Sequence, residues 1–406
     1  LRNLVPGPES VAEAVSEILA AVRRDGDAAV LDYTRRFDTA GAEPLPLIVD
    51  DEVIDAAVAR LQAPVRSGLE RAIHNVRRVA QAGPGLASGQ RVDLGSHSVT
   101  LRQAALAAAA VYVPGGRAAY PSTVVMGAVP ARVAGVGTVS VCVPPGSAGE
   151  VDETVLAACR LAEADVVYRM GGAQAIAALA YGTESVDPVD VIVGPGNLYV
   201  QEAKRQVSAE VGIDGFAGPS DLVVLAGAQA DPAIVALDAL AQAEHGPGTL
   251  VVAASTSGEL LDQICAHTDP VPETGAVLRL VELPAPEVGF ALAEALAPEH
   301  LQLIGVEFER LAPRIARAGC LFVGPNSGTA FGDYIAGSNH ILPTAGAARF
   351  ASGLSPEHFL RRFAEVEIQE PDELAQLAAP VAEAEGFTRH AQSMRARIRD
   401  NRDDES

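Results

Sequence analysis

Four of the eight histidines in the sequence stand beside other side chains that bind metals or transfer protons. These histidines belong to four short segments, which are Gln242–His245, Glu299–His300, Asp333 with His340, and Glu385 with His390. Neutral imidazole and carboxylate are common zinc ligands, and they are also the usual groups for proton transfer near pH 7. We therefore expect these segments, although distant in sequence, to converge on one site.

Gln242 and His245 are three residues apart, so they share one face of a predicted helix. This spacing suits two ligands of a single metal ion. Glutamine is a poor zinc ligand, however, and the pair alone is more typical of a helix that ends before Gly246 and Pro247. On these residues alone, both interpretations stay open.

Glu299 and His300 are adjacent, so on a loop their side chains point in different directions. They could therefore serve two different proton positions, with histidine as a base and the carboxylate activating water. The alternative interpretation is a surface charge pair.

The other two segments differ in their surroundings. Asp333, Tyr334, Asn339 and His340 lie in a glycine-flanked loop, which favours a site over core packing. Glu385 and His390 lie in a charged helical tail, where the pair alone indicates a solvated face.

Three glycine-rich turns each follow a β-like run, at 115–116, 171–172 and 194–196. Glycine lets the backbone approach a phosphate closely, and the next helix offers free N–H groups. The neighbouring side chains of Tyr112, Gln174 and Asn197 could contact a ribose or a carboxamide. The GxGxxG fingerprint of dinucleotide sites is missing, so ordinary strand-to-helix turns remain the alternative.

The composition limits the class of protein. A chain of 406 residues with 49% hydrophobic residues is expected to form two or more domains. A net charge of −22 argues against nucleic acid and against an anionic membrane surface as partners. We expect no signal peptide, and no apolar run reaches the roughly 18 residues that a membrane span needs.

The four cysteines are far apart and form no CxxC pair. We predict that Cys142, Cys159, Cys265 and Cys320 are buried thiols in a reducing compartment, which indicates a cytoplasmic protein.

Hydrophobic periodicity predicts helices over about 9–35, 51–60 and 64–80, with Val15, Ile18, Leu19 and Val22 on one face of the first. From residue 106 to 221, β-branched runs alternate with glycine turns and helices, and this alternation starts again at 222. Such alternation predicts two α/β units with parallel sheets. After residue 343 the pattern is helical and charged, with one helix over 373–397 that could dock on another subunit.

Seven ordered motifs cover most of the chain and resemble those of the histidinol dehydrogenase family. They are YVPGG at 112–116, GGAQAIAALAYGTESV at 171–186, VGPGN at 193–197, AGPSD at 217–221, AQAEHGP at 241–247, APEHLQ at 297–302 and GDYIAGSNHILPT at 332–344.

The resemblance implies an α/β fold of two incomplete Rossmann-like domains with helical segments at both ends. The first domain would comprise residues 1–111 and 222–354, and the second, on the NAD side, residues 112–221. Residues 355–406 would form a helical arm that docks on the partner subunit of a homodimer. The active sites would then be shared between the subunits.

The resemblance also implies a site in which each residue has a role. Glu299 and His300 would be catalytic, and one Zn²⁺ per subunit would be bound by Gln242, His245, Asp333 and, from the partner subunit, His390. NAD would contact Tyr112, Gln174 and Asn197. The substrate would contact Ser220, Gln242, His245, His300, Asp333, His340, Glu385 and His390.

The implied reaction is the last step of histidine biosynthesis, the four-electron oxidation of L-histidinol to L-histidine through bound histidinaldehyde. Zinc would position the substrate, His300 would take the hydroxyl proton, and Glu299 would activate water. A zinc-dependent hydrolase on the same site would instead turn over without nicotinamide. A non-catalytic α/β binding module would bind no metal.

Overall fold

The computed structural model describes residues 8–83, 89–115, 119–215, 218–268 and 274–398. The described residues divide into two compact units. The large unit comprises Leu1–Gly83 and Leu106–Phe359, and the small unit comprises Pro84–Ala105 and Leu360–Ser406.

The elements of secondary structure are numbered in chain order. The helices are α1 (Ala12–Asp25), α2 (Asp27–Phe37), α3 (Asp51–Arg60), α4 (Ala63–Ala82), α5 (Pro121–Ala134), α6 (Glu153–Leu161), α7 (Gly172–Tyr181), α8 (Leu198–Val207), α9 (Pro232–Ala243), α10 (Gly258–Thr268), α11 (Pro286–Leu296), α12 (Val306–Glu309), α13 (Thr329–Tyr334), α14 (Pro371–Ala384) and α15 (Thr388–Arg395). The strands are β1 (Gln90–Asp93), β2 (His97–Ala105), β3 (Ala108–Tyr112), β4 (Thr138–Val143), β5 (Val166–Arg169), β6 (Val191–Val193), β7 (Gly212–Ile213), β8 (Asp221–Ala226), β9 (Leu250–Ser255), β10 (Val277–Glu282), β11 (His300–Ile304), β12 (Cys320–Val323) and β13 (Leu360–Ile368).

The large unit contains two parallel sheets with the same strand order. The first sheet runs β5-β4-β3-β6-β7, and the second runs β10-β9-β8-β11-β12. Numbered within each sheet, both orders are 3-2-1-4-5, which is the Rossmann order without its sixth strand. The predicted fold class, two incomplete Rossmann-like sheets in an α/β protein, is therefore confirmed.

The helices before residue 83 pack on the helices that cover the first sheet. On one face, α3 and α4 contact α6 and α5, and on the other, α1 contacts α7 and α8. Helix α7 is buried on all sides from Ala173 to Leu179, so it needs an outer layer as well as the sheet. The predicted apolar face of α1, comprising Val15, Ile18, Leu19 and Val22, is buried and supplies that layer.

This packing differs from the expected grouping of residues 1–111 with 222–354, since these helices lie on the sheet of the other expected domain. The predicted helix over 9–35 is also divided. Gly26, at a φ of +55°, separates α1 from α2, and a Cβ there would meet the Glu184 carboxylate at 2.2 Å. The domain boundaries inferred from the sequence remain predictions.

The second sheet has its own core on each face. On one face, β8 and β9 pack with α9 and α10 through residues such as Leu222, Val235 and Ile264. On the other face, Leu301 and Phe308 belong to a cluster with Val223 and Leu225. Two apolar faces require apolar strands, which explains why β8 and β11 are buried at every position.

The small unit contains a three-stranded antiparallel sheet, in the order β1-β2-β13, and the helices α14 and α15. The sequence analysis expected a helical arm over residues 355–406. The structure instead places β13 before the two helices of this segment. The predicted helix over 373–397 is also divided near Gly386, which has a φ of +84°. Leu377 and Val381, on the predicted apolar stripe, are 66% and 58% exposed.

The cysteines are free but only partly as predicted. Cys142 and Cys159 are buried, whereas Cys265 is exposed and Cys320 is half-buried. The prediction of a buried thiol was wrong for Cys265, because its position on α10 faces solvent.

Among the described residues, no helix combines the length and hydrophobicity that crossing a membrane requires.

Candidate active site

The predicted acid–base residues meet at the amino edge of the second sheet. His300 begins β11, Glu299 directly precedes it, and Ser220 directly precedes β8. Because β8 and β11 are parallel neighbours with His300 opposite Leu222, these side chains start from the same edge. They line a cavity of about 590 Å³ together with His245, Asp333 and His340.

The Glu299 carboxylate is buried and held by two donors. The hydroxyl of Ser220 donates to its Oε2, and the backbone N–H of Asp221 donates to the same oxygen at 3.1 Å. In return, the Glu299 N–H donates to Asp221 Oδ1 at 2.6 Å. Burial raises the pKa of Glu299, and the nearby His300 and Ser220 only partly oppose this. A carboxylate with a raised pKa is a stronger base, as proton transfer requires.

The His300 imidazole lies between two carboxylates. Its Nδ1 is 3.7 Å from Glu299 Oε2, and its Nε2 is 3.6 Å from Asp333 Oδ1. Burial alone would lower the pKa of His300, but Asp333 and Glu299 outweigh burial, and the net change is upward. The buried Nδ1 has no hydrogen-bond partner among the described residues. The ring is therefore set up to take a proton and to be stabilised once charged.

The pKa values of Asp333 and His340 are both lowered, but for different reasons. Burial would raise the pKa of Asp333, but the neighbouring imidazoles, above all His300, lower it. Burial lowers the pKa of His340, so this ring is neutral near pH 7. His340 Nδ1 donates to the carbonyl of Asp333 at 2.9 Å, and its Nε2 lies 3.4 Å from the Thr123 hydroxyl.

Gln242 and His245 come from the end of α9 and are oriented by hydrogen bonds. The Gln242 amide donates to the Ser220 hydroxyl, which links it to Glu299. His245 Nδ1 lies 3.0 Å from the carbonyl oxygen of Gln242. A carbonyl only accepts, so Nδ1 carries a proton, and in the neutral ring the lone pair is on Nε2. This tautomer, fixed by a backbone carbonyl, is the one that metal-binding histidines adopt.

The donor set of the predicted metal site therefore fits zinc in part. Gln242, His245 and Asp333 belong to the large unit, and they offer an amide oxygen, an imidazole nitrogen and a carboxylate. His390 and Glu385 belong to the small unit. Among the described residues, no group of three or more His, Cys, Asp or Glu side chains is placed to hold a metal. A fourth ligand from a second chain is therefore still a prediction.

A larger cavity of about 970 Å³ lies at the carboxyl edge of the first sheet. It is lined by residues at or after the carboxyl ends of β3, β4, β5 and β6. These include Tyr112, which ends β3, Gln174 in α7, and Asn197 just before α8. The glycine-rich turns pack tightly here, since a Cβ on Gly171 would lie 2.5 Å from the Pro144 side chain. The predicted contact residues thus share one cavity, although Gly116 and Ala217 of the quoted motifs lie outside the described residues.

The three predicted NAD contacts differ in how they are held. The Tyr112 hydroxyl is buried and accepts from the Gly172 N–H at 3.1 Å, and burial raises its pKa. The Asn197 side chain caps the N-terminus of α8, where it accepts hydrogen bonds from the N–H groups of Tyr199 and Val200. Gln174 is 1% exposed and lines the cavity.

The two cavities adjoin, because Pro114 and Tyr120 line both. The two cavities therefore share part of their walls.

Sequence reasoning gave no role to two residues that support the site. Asp221 exchanges two hydrogen bonds with Glu299, and it follows Ser220 in a quoted motif, so its position was a usable signal. Thr123 contacts His340 from α5, and nothing in its sequence surroundings indicates that contact.

Comparison with known proteins agrees with this geometry. The family model for histidinol dehydrogenase matches residues 6–398. Histidinol dehydrogenase of Parasynechococcus marenigrum is 44% identical over 403 residues, covering 95% of this chain and 90% of the relative. That of Pseudomonas putida is 40% identical over 408 residues, covering 96% and 91%.

A solved structure is similar over nearly the same length. The crystal structure of histidinol dehydrogenase from Elizabethkingia anophelis matches with a TM-score of 0.88 at 30% identity, covering 95% of this chain and 92% of that one. Family model, relatives and structure agree over the segments that carry both cavities. The chain therefore belongs to the histidinol dehydrogenase family of oxidoreductases.

Proposed function

We propose that this protein oxidises L-histidinol to L-histidine, the last step of histidine biosynthesis, with NAD as oxidant and histidinaldehyde held between two hydride transfers. The observation that carries the proposal is the His300 ring between Glu299 and Asp333, at 3.7 and 3.6 Å. This ring lines a cavity that adjoins a second, larger one. The first cavity would hold the amino alcohol, and the second would hold the nucleotide.

Zinc and NAD are the proposed cofactors. Gln242, His245 and Asp333 would hold zinc with His390 of a second copy, and Tyr112, Gln174 and Asn197 would contact NAD. When bound, zinc would fix the substrate nitrogens in place, and NAD would accept hydride, since zinc has no redox chemistry of its own.

In the first oxidation, a ring nitrogen of His300 takes the hydroxyl proton of the substrate. The charge that develops on the ring lies between the Glu299 and Asp333 carboxylates, which stabilise it. Because the ring is 2% exposed, water does not compete for this proton.

In the second oxidation, Glu299 takes a proton from the water that adds to the bound aldehyde. Burial raises the pKa of Glu299, so the carboxylate is more basic than an exposed one. Ser220 and Asp221 both donate to its Oε2, which fixes the direction of the carboxylate. The adjacent positions of Glu299 and His300 thus divide the two proton transfers between two side chains.

The remaining proposed substrate contacts are of two kinds. Ser220, His245 and His340 line the same cavity as the acid–base pair. Glu385 and His390 would come from the partner copy of a homodimer. The exposed apolar side chains of Leu377 and Val381, on the helix just before Glu385, support a docked partner.

The central experiment follows the absorbance of NADH while purified protein is supplied with histidinol and NAD. We expect two NADH per histidinol, loss of activity after chelation and recovery with zinc, with the metal content measured in parallel. Turnover of an ester or amide substrate without nicotinamide would favour a hydrolase. Absence of both activities in a protein that binds histidinol would contradict catalysis altogether.

Sharing of the site between two copies has a direct test. By this proposal, Glu299→Gln and His390→Asn variants each fail to complete the oxidation of histidinol to histidine, but a mixed dimer has one intact site. Co-refolding the two variants should then restore about a quarter of wild-type activity, because half of the dimers are mixed and each has one of two sites. No recovery, in dimers shown by tagging to be mixed, would contradict a shared site.

We also propose that the protein works in the cytoplasm. The support is that Cys142, Cys159, Cys265 and Cys320 are all free in the structure, as thiols in a reducing compartment are. Fractionation of the source cells, with activity recovered in the periplasm, would contradict it.

A further inference from the structure

One basic residue stands apart from all the others in the chain. The sequence contains 30 lysines and arginines, and Lys204 is the only lysine among them. Its side chain is 1% exposed, and it is among the largest fully buried side chains described. All the remaining residues of this set are arginines, and the one lysine lies inside the protein. This suggests that position 204 needs an ammonium group.

The Lys204 ammonium and the Asp214 carboxylate hold one peptide unit from both sides. Lys204 Nζ donates to the carbonyl of Gly194 at 2.6 Å and to Asp214 Oδ1 at 2.6 Å. The N–H of the same Gly194 donates to Asp214 Oδ2 at 2.6 Å. Both polar groups of Gly194 are thus fixed by the ion pair.

Gly194 has little freedom to move elsewhere. It follows β6 with a φ of +114°, and a Cβ there would lie 2.1 Å from the carbonyl oxygen of Tyr112. Further along the turn, Gln201 donates to the Gly196 carbonyl at 3.4 Å. Helix α8 therefore holds the turn at more than one point.

The turn at 194–197 forms part of the wall of both cavities. Gly194 and Pro195 line the substrate cavity, together with Asp214, and Asn197 lines the nucleotide cavity. A shift of this turn would change the position of one ligand relative to the other. Hydride transfer depends steeply on that distance.

An arginine would not serve at position 204. Both partners of the ammonium lie at 2.6 Å in a fully buried space, which suits a compact group with three donors. A planar guanidinium is larger and directs its donors in a fixed fork, so it would displace either Gly194 or Asp214.

We propose that Lys204, paired with Asp214, is a positioning residue that sets the 194–197 turn for hydride transfer between the two cavities. The inference rests on the proposed assignment of those cavities to NAD and histidinol. A gain in protein stability is a weak explanation for this ion pair. Replacing a buried ion pair with apolar side chains often leaves the stability of a protein unchanged or increases it.

The test compares Lys204→Met with the double variant Lys204→Met/Asp214→Asn. The single variant leaves a buried carboxylate without its partner, so its melting temperature falls. The double variant removes both charges, so most of the melting temperature returns, but the Gly194 carbonyl still lacks its donor. We expect kcat of the double variant to be lower by roughly 10- to 100-fold, with each KM changed by less than about threefold.

Two further readouts separate positioning from folding. Activity is measured well below the melting temperature of each variant, and NADH binding is measured by fluorescence without substrate. Low kcat with unchanged NADH affinity supports positioning. Recovery of kcat along with the melting temperature, or a loss of NADH affinity as large as the loss of kcat, would overturn it.

The matched control is the exposed ion pair of Arg23 and Glu210, also at 2.6 Å, which joins α1 to the segment after α8. Arg23→Met/Glu210→Gln should leave kcat unchanged. The proposed function fails separately, if wild-type protein gives no histidinol-dependent NADH. The positioning role fails if wild-type protein is active and the double variant is equally active.

Discussion

The two sheets of the large unit have the same strand order but are used at opposite edges. In the first sheet, the larger cavity lies at the carboxyl ends of β3 to β6, where ligands of open α/β sheets usually bind. In the second sheet, Ser220, Glu299 and His300 lie at the amino ends of β8 and β11. One topology therefore provides two different kinds of site.

The difference follows from the helices at each edge. At the carboxyl edge the chain leaves a strand and enters a helix, so helix N-termini with partial positive charge face the site, as a dinucleotide phosphate requires. At the amino edge the chain leaves a helix, so helix C-termini with partial negative charge face the site. Gln242, in the last turn of α9, and His245, just after the helix, lie at such an end, where a cation is favoured. The same strand order thus presents helix N-termini at one cavity and the C-terminal end of α9 at the other.

The largest effect should come from the amino edge of the second sheet. Replacing His300 with Asn keeps a polar side chain but removes the base, and we expect kcat to fall by roughly 10²- to 10⁴-fold. Steady-state NADH production measures it. The control is His267→Asn, on the exposed side of α10, and a similar loss there would show that the effect is not specific to the base.

Replacing Glu299 with Gln should separate the two half-reactions. The amide still accepts a hydrogen bond from Ser220, but it cannot take a proton from water. Oxidation of supplied histidinaldehyde should fall by roughly 10²-fold or more, and oxidation of histidinol to the aldehyde should fall less. Single-turnover measurements with each substrate decide this, and equal losses would argue against activation of water by Glu299.

A smaller effect, limited to the KM for NAD, should come from a substitution at the carboxyl edge of the first sheet. Gln174 is buried and lines that cavity, so Gln174→Leu removes a hydrogen-bonding group without adding much volume. We expect KM for NAD to rise roughly tenfold at most, with KM for histidinol unchanged, since one neutral hydrogen bond contributes about 1 kcal/mol. Gln263→Leu, on the exposed side of α10, is the control. A rise in KM for histidinol alone would contradict the assignment of the cavities.

The smallest effect concerns stability and pH at the same edge. Burial raises the pKa of Asp38, which lines the nucleotide cavity, to about 6, from 3.8 when exposed. Between these values the folded protein binds more protons than the unfolded chain, so the stability from this group falls as pH rises from about 4 to 6. Asp38→Asn removes this titration.

The melting temperature of Asp38→Asn, relative to wild type, should therefore increase from pH 4 to pH 7 and stay level above that. Thermal unfolding followed by circular dichroism over this range measures it. A difference that does not change with pH would mean that the Asp38 carboxyl titrates normally.

The sequence predicted the two parallel sheets because their strands are apolar on both faces. The helix over 51–60 and most strands of both sheets lie within a few residues of their predicted positions. Helix α8 was not predicted, since its buried positions include Glu202 and Lys204, whose polar side chains hide the apolar stripe. Strand β13 was missed for a related reason, as its charged side chains are exposed and its stability comes from main-chain pairing with β2.

The candidate site was predictable from residue types that are rare in this sequence. Scarce histidines with carboxylate neighbours identified Glu299, His300, Asp333 and His340, and the structure brings these four to one cavity. The hydrogen bonds that orient them were not predictable, because Asp221 meets Glu299 only through the pairing of β8 with β11. The contribution of His390 to the site stays a prediction, since it depends on a second copy.

The single lysine also makes the interior of this protein unusually easy to observe. A protease that cleaves only after lysine has one site in the sequence, the bond between Lys204 and Arg205, and that bond lies inside α8. Cleavage into two fragments would therefore require that this helix open first. The rate at which the fragments form, followed by mass spectrometry, would report how often α8, which holds the 194–197 turn, opens in the native protein.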